Sequence, residues 1–178
     1  MRQHIAPIVV ALLVAASHCT AAETKALPAN PDAVTGYAGI RFGAPFPASR
    51  FQLEANRGAV KVYTKKGQCL QMGPASLDAV LYYAYQGKFY GVAFHTKDGE
   101  DSMGLGNVLA DAFGKGKKEN QGGPSISWSG KNVGVLYEVN TSTGEGNAFI
   151  FDESIHDAVI GEQSSSAQTA ALKLIQGN

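Results

Sequence analysis

The chain has 178 residues, 15 Lys and Arg against 15 Asp and Glu, and 44% of its residues are hydrophobic. That length suits one domain, and the balanced charge removes any bulk pull toward nucleic acid or an anionic membrane.

Residues 1–22 open with Arg2, continue with an apolar run over 5–16 and end in Thr20, Ala21 and Ala22. This is the pattern of a secretory signal peptide, with cleavage expected after Ala22. The apolar run is too short to span a bilayer, which takes ~20 residues. The mature chain is therefore expected in the periplasm or outside the cell, without a transmembrane segment. The alternative is a lipoprotein anchored through an acylated Cys19, against which stands the bulky, polar His18 beside it. Cleavage after Ala22 leaves 156 residues, with 14 Lys and Arg against 15 Asp and Glu. Cys69 is then the one remaining cysteine, so no internal disulfide is expected.

Residues 23–36 (ETKALPANPDAVTG) contain two prolines and no hydrophobic period, and they read as a flexible lead-in. A single domain follows over 37–162. Residues 37–42 (YAGIRF) predict a short strand ended by Gly43, Pro45 and Pro47, and the stretch 50–57 reads as a loop. Val60 and Val62 alternate, as do Leu70 and Met72, around Lys65-Lys66-Gly67, which predicts a first hairpin. LYYAYQGKFYGVAFH, residues 81–95, predicts a second hairpin turning at Gln86-Gly87. Counting outward from Tyr85 opposite Lys88 sets Tyr83 against Tyr90, Leu81 against Val92, Tyr82 against Gly91 and Asp78 against His95. Both faces are then largely apolar, as in a central pair covered on each side.

Leu105, Val108, Leu109, Ala112 and Phe113 follow at i, i+3, i+4, i+7 and i+8, the stripe of an amphipathic helix. Asp98, Asp101 or Ser102 caps it, Gly114 stops it, and Gly104 and Gly106 imply close approach to a strand. Strands are predicted over 125–128, 133–139 and 147–152, then a helical turn capped by Ser154 and a loose tail over 163–178 ending in a short helix. The order predicts an α+β domain: a single antiparallel sheet of about six to seven strands packed on one main helix. An all-β sandwich with an inserted helix is the alternative.

Charge is segregated along the chain. Arg41, Arg50, Arg57, Lys61, Lys65 and Lys66 face only Glu54 within 41–66, whereas 138–162 holds six acidic residues and no Lys or Arg. Neighbouring strands with cross-strand ion pairs are the expected outcome.

Catalytic signals are sparse. Cys69 with His95 or His156 is the one possible thiol dyad, and Cys69 lies in a strand without the positive field that lowers a thiol pKa, so it reads as a structural thiol. His95 opposite Asp78 reads as a strand-end pair before it reads as a general base. Two distant mature histidines without partner spacing predict no metal site, and the glycines at 104 and 106 sit inside a helix stripe, so no nucleotide cofactor is expected either. Rim tyrosines Tyr82 and Tyr85, together with Trp128, are the candidate binding residues.

GIRFG at 39–43, LYYAYQGKFYGV at 81–92, ADAFG at 110–114 and SWSG at 127–130 together resemble small exported bacterial domains of uncharacterised function. The resemblance spans 37–152 and implies the fold, with no site residue carried over. The functional expectation is a non-catalytic envelope module that binds another envelope or extracellular protein. The alternative is a hydrolase using Cys69 or His95.

Overall fold

The structure, a computed structural model, describes residues 27–119 and 124–176, so the expected signal peptide and Cys19 lie outside the described residues. In chain order the strands are β1 (Gly36–Tyr37), β2 (Ile40–Arg41), β3 (Gln52–Arg57), β4 (Val60–Thr64), β5 (Gln71–Met72), β6 (Ala75–Ser76), β7 (Ala79–Tyr85) and β8 (Lys88–Thr96). Helix α1 (Gly99–Phe113) follows, then β9 (Lys117–Glu119), β10 (Ser125–Ser129), β11 (Val133–Val139), β12 (Gly146–Asp152) and helix α2 (Glu153–Gln176). Eight strands form one antiparallel sheet in the order β3-β4-β7-β8-β12-β11-β10-β9, and β1-β2 and β5-β6 form two small hairpins. Mostly sheet with two helices, the chain is compatible with an α+β domain, and it has one large sheet in place of the two stacked sheets of a sandwich. Among the described residues no helix is long and apolar enough to cross a membrane.

The hairpin β7–β8 forms the middle of the sheet together with β12. Its turn is the expected Gln86-Gly87, and both residues adopt positive φ (48° and 78°), the primed geometry that matches strand twist. The register departs from the simple count. Tyr85 pairs with Lys88 and Ala84 with Phe89, but Tyr83 pairs with Gly91, Tyr82 with Val92, Leu81 with Ala93 and Ala79 with His95. A bulge leaves Tyr90 as the extra residue and shifts every pair beyond it by one. Its cause is visible in the packing. The rings of Tyr83, Tyr90 and Phe149 meet with centroids 5.0–6.1 Å apart, and a Cβ at Gly91 would lie 2.6 Å from the Phe149 ring. The space of the missing side chain at Gly91 is filled by the Phe149 ring.

Further assignments are corrected. Residues 52–57 are not a loop but edge strand β3, which pairs with β4 across Gly58. Gln71 and Met72 do not pair with β4 but turn back on Ala75 and Ser76, and β4 pairs with β7 instead. The stretch after α1 contains a further strand, β9, which extends the far edge. After β12 a single helix runs from Glu153 to Gln176 where a short turn and loose tail were expected. It is capped by Asp152, whose carboxylate accepts from the Ile155 N–H at 3.0 Å, with Ser154 Oγ donating to the same oxygen.

Alternation divides the sheet into two faces. On one, Val80, Tyr82, Ala84, Phe89, Val92, Phe94, Val135, Tyr137, Ala148 and Ile150 form the main core with Leu105 and Leu109 of α1. Helix α1 begins at Asp98, whose side chain accepts from the Asp101 N–H, and ends at Gly114, as its sequence predicts. Gly106 allows the close approach: a Cβ there would stand 3.0 Å from the Tyr137 ring. The Tyr137 hydroxyl donates to the Ser102 carbonyl, and Ser102 Oγ meets Thr96 Oγ1 at 2.7 Å in a buried contact between α1 and β8. On the other face, Val60, Tyr90, Phe151 and Val159 form a smaller cluster with Tyr83, Tyr85, Leu136, Phe149 and Ile155.

The lead-in over 30–36 is tied down by Val34, buried in the main core, and by Asp32. Asp32 accepts backbone N–H groups from Lys131, Asn132 and Val133 at 2.7–3.2 Å, and those bonds hold its carboxyl below the ordinary range.

Candidate functional site

The second face is covered unevenly, and that decides where a site can form. Helix α2 crosses it at the end carrying the β7–β8 turn: His156 lies on the Phe151 ring at 4.2 Å and Tyr85 donates to Glu162 at 2.7 Å. The opposite end stays open. There one cross-strand row runs over four adjacent strands, because Ala79 pairs with His95, His95 with Asn147, and Asn147 with Glu138. In-register antiparallel partners share a face, so these four side chains stand side by side.

This row is the floor of a cleft of about 480 Å³, walled by Leu81, Asp78, Lys97, Asn140 and Glu145 among others. Its floor carries two buried polar atoms without a hydrogen-bond partner, His95 Nε2 and Asn147 Oδ1, and these come from directly opposed residues. The cost of leaving such an atom unpaired is ~1–3 kcal/mol. Burial holds the His95 imidazole below its ordinary pKa of 6.5, with the Asp78 carboxylate opposing it, so at pH 7 the ring is neutral and offers one donor and one acceptor nitrogen. Around the floor stand the carboxylates of Asp78, Glu138 and Glu145 against one ammonium, Lys97, which is spent on Asp78 at 2.5 Å. The cleft is net acidic.

The expected pairing of the basic and acidic segments does not occur. The basic β4 lies three strands from β12 and four from β11, and so Glu138 and Glu145 are turned to the cleft. His95 is opposite Ala79, not Asp78, although the Asp78 N–H donates to the His95 carbonyl at 2.7 Å.

Of the residues singled out in the sequence, Tyr82 is 0% exposed and Trp128 5% exposed. The Tyr82 hydroxyl donates to Gln68, and the Trp128 indole donates to the Gly114 carbonyl at 2.8 Å, so both rings belong to the core and neither is presented to a partner. Tyr85 joins the sheet to α2 through Glu162. Cys69 is not a free thiol; it is disulfide-bonded. In the full chain that takes the nucleophile from any Cys69 mechanism in this state. Asn147 was not singled out, and the signal for it is the alternation of NAFIFD, which puts Asn147 on the face of Phe149 and Phe151.

A larger cavity, about 710 Å³, lies under β1–β2 on the core side and is lined by Val34, Tyr37, Ile40, Arg41, Gln68 and Val92 among others. Leu27 and Pro28, where the described chain begins, form part of its wall. None of its described lining residues carries an unpartnered buried polar atom of the kind found in the cleft. Among the described residues no cluster of three or more His, Cys, Asp or Glu is placed to hold a metal ion.

Comparison with protein-family models, curated proteins and solved structures finds no match.

Proposed function

We propose that this chain is an exported, non-catalytic binding module of the envelope, an α+β domain whose sheet packs on one main helix and whose open half-face receives a partner. One observation carries the reading: His95 Nε2 and Asn147 Oδ1 are buried, adjacent and unpartnered beneath an acidic rim. Polar atoms in that state cost stability, and a ligand with its own donor and acceptor completes them. The surplus carboxylate selects a cation, and Leu81 supplies an apolar wall. The partner chemistry is a basic peptide segment of another envelope or extracellular protein, its backbone amides meeting His95 and Asn147 and its ammonium or guanidinium groups meeting Glu138 and Glu145. Nucleic acid is disfavoured by the same carboxylates, since its phosphates are repelled.

The competing reading is a hydrolase with His95 as general base, for which the neutral imidazole is the favourable observation. Thr96 is the one hydroxyl among the described lining residues, and it is held between Ser102 Oγ and the Gly146 N–H, so the base has no side-chain nucleophile to activate.

Calorimetric titration with tri-lysine amide and with tri-glutamate tests the proposal. The basic peptide binds, added salt weakens it, and the acidic peptide gives no heat. Equal binding of both peptides, or of neither, overturns it.

A further inference from the structure

The cavity beneath β1–β2 has no part in the binding of a basic peptide, and its lining differs in kind from that of the acidic cleft. Its floor is apolar. Val92 and Ile150, directly paired on β8 and β12, line it together with Val34 and Ile40, and all four belong to the main core. Protein interiors leave few voids larger than a water molecule, whereas this one measures about 710 Å³. That volume falls in the range of roughly 300–1,000 Å³ typical of small-molecule sites.

The charge of the lining is one-sided. Among its described residues Arg41 and Lys65 are cations and none is Asp or Glu. Arg41 is exposed, and its guanidinium enters no ion pair among the described residues. An apolar floor with a cationic margin is complementary to an amphipathic anion. We propose that this cavity binds a single-chain fatty acid, with the alkyl chain against Val34, Ile40, Val92 and Ile150 and the carboxylate at Arg41.

The walls are held by the fold itself. Asp32 fastens the segment before β1 to the start of β11 through three backbone N–H groups at 2.7–3.2 Å. The Gly43 N–H donates to the Phe89 carbonyl at 2.8 Å and so ties the end of β2 to β8. Tyr37 of β1 sets its ring edge-on to Phe94, with centroids 5.2 Å apart. A site built in advance spends little on ordering when its ligand arrives. His95 and Asn147 are paired on the same two strands as Val92 and Ile150, an odd number of residues away and therefore on the opposite face. The cavity and the cleft are thus separate sites with opposite charge preferences.

Titration of the full chain with dodecanoate below its micellar concentration, followed in ¹⁵N-resolved spectra, tests the proposal. Saturable shifts are expected at the amides of Val34, Tyr37, Ile40 and Val92, with the Asn147 side chain in place, and neither acetate nor dodecyltrimethylammonium should reproduce them. Arg41→Gln, an exposed change that should keep the parent melting temperature, should weaken dodecanoate roughly fivefold. The charge-retaining Arg41→Lys should weaken it less, and Lys118→Gln at the far edge of the sheet should not weaken it. Equal affinity for the cationic detergent, an equal response to acetate, or unchanged affinity in Arg41→Gln overturns the proposal. So does binding to anionic phospholipid vesicles alone, or the lack of any saturable shift, as when the chain's own preceding residues fill the cavity.

Discussion

Replacing Asn147 with leucine should make the free protein more stable and the binding module inactive, an outcome opposite in sign to most substitutions in a sheet. Asn147 Oδ1 is buried without a partner, so its removal relieves a desolvation penalty of ~1–3 kcal/mol. The residue as a whole is half-buried, and part of the amide reaches water, so the lower end applies, about 1 kcal/mol. Leucine has the same branched heavy-atom skeleton, though a larger volume, and, unlike asparagine, is not depleted in strands. Its nearest cross-strand neighbours, His95 and Glu138, leave it room on the open side of the row. For a domain of this size about 1 kcal/mol raises the melting temperature by roughly 2–4 °C. Thermal unfolding followed by circular dichroism measures the gain, and tri-lysine amide titration of the same preparation measures the loss of affinity. A variant less stable than the parent by about 1 kcal/mol or more would refute the reasoning, because the amide would then be holding the sheet together. Undiminished binding would refute the site.

Three other outcomes follow from the packing and the titrating groups. Leu109→Ala should cost about 3–5 kcal/mol, since Leu109 is 0% exposed and α1 lies against β8 and β12, strands fixed on both sides; Met103→Ala on the same helix, 64% exposed, should stay within about 0.5 kcal/mol, and denaturant midpoints at constant m-value separate them. Tyr83→Ala should destabilise by about 1–3 kcal/mol, because the ring is half-buried against Tyr90 and Phe149; an unchanged melt with lost partner binding would instead make Tyr83 a recognition residue. Burial holds His95 and His156 below 6.5, against the opposing Asp78 and Asp157, so the unfolded chain takes up protons first as pH falls through 6.5 and stability declines from there. Melting temperatures at about pH 7.5 and about pH 5.5 should differ more in the parent than in His95→Gln/His156→Gln, and Glu153, raised above 4.5 by burial and then by Asp157 and Asp152, works in the opposite sense at lower pH.

Much of the fold is legible where local chemistry is unopposed. The stripe Leu105, Val108, Leu109 with Asp98 before it and Gly114 after it fixes α1, and Gln86-Gly87 fixes a turn because only a primed turn follows the strand twist there. The strands β11 and β12 stand where their alternation puts them. Edge strand β3 escapes notice because QLEANR is exposed along most of its length, so no buried face imposes a period of two on it. The partner of β4 is misread because two turn signals, Gly58 and Lys65-Lys66-Gly67, flank the same strand and only tertiary packing chooses between them. The bulge at Tyr90 is the more consequential case: one unpaired residue moves Val92 to the core face with Phe94, and it sets His95 opposite Ala79. The cleft is hidden for a related reason. His95 and Asn147 are neighbours only because β8 pairs with β12, a contact that skips α1 and three strands of sequence.

The central claim is that the row Ala79, His95, Asn147 and Glu138 receives the partner, and the side-chain amide of Asn147 is its most direct reporter. In ¹⁵N-resolved spectra of the full exported chain, titration with tri-lysine amide should shift the Asn147 side-chain amide and the His95 ring nitrogens together, with one saturating curve. The amides of α1 should stay in place. Saturable shifts at the cavity residues Val34, Tyr37 and Ile40, with Asn147 and His95 unmoved, would contradict the account.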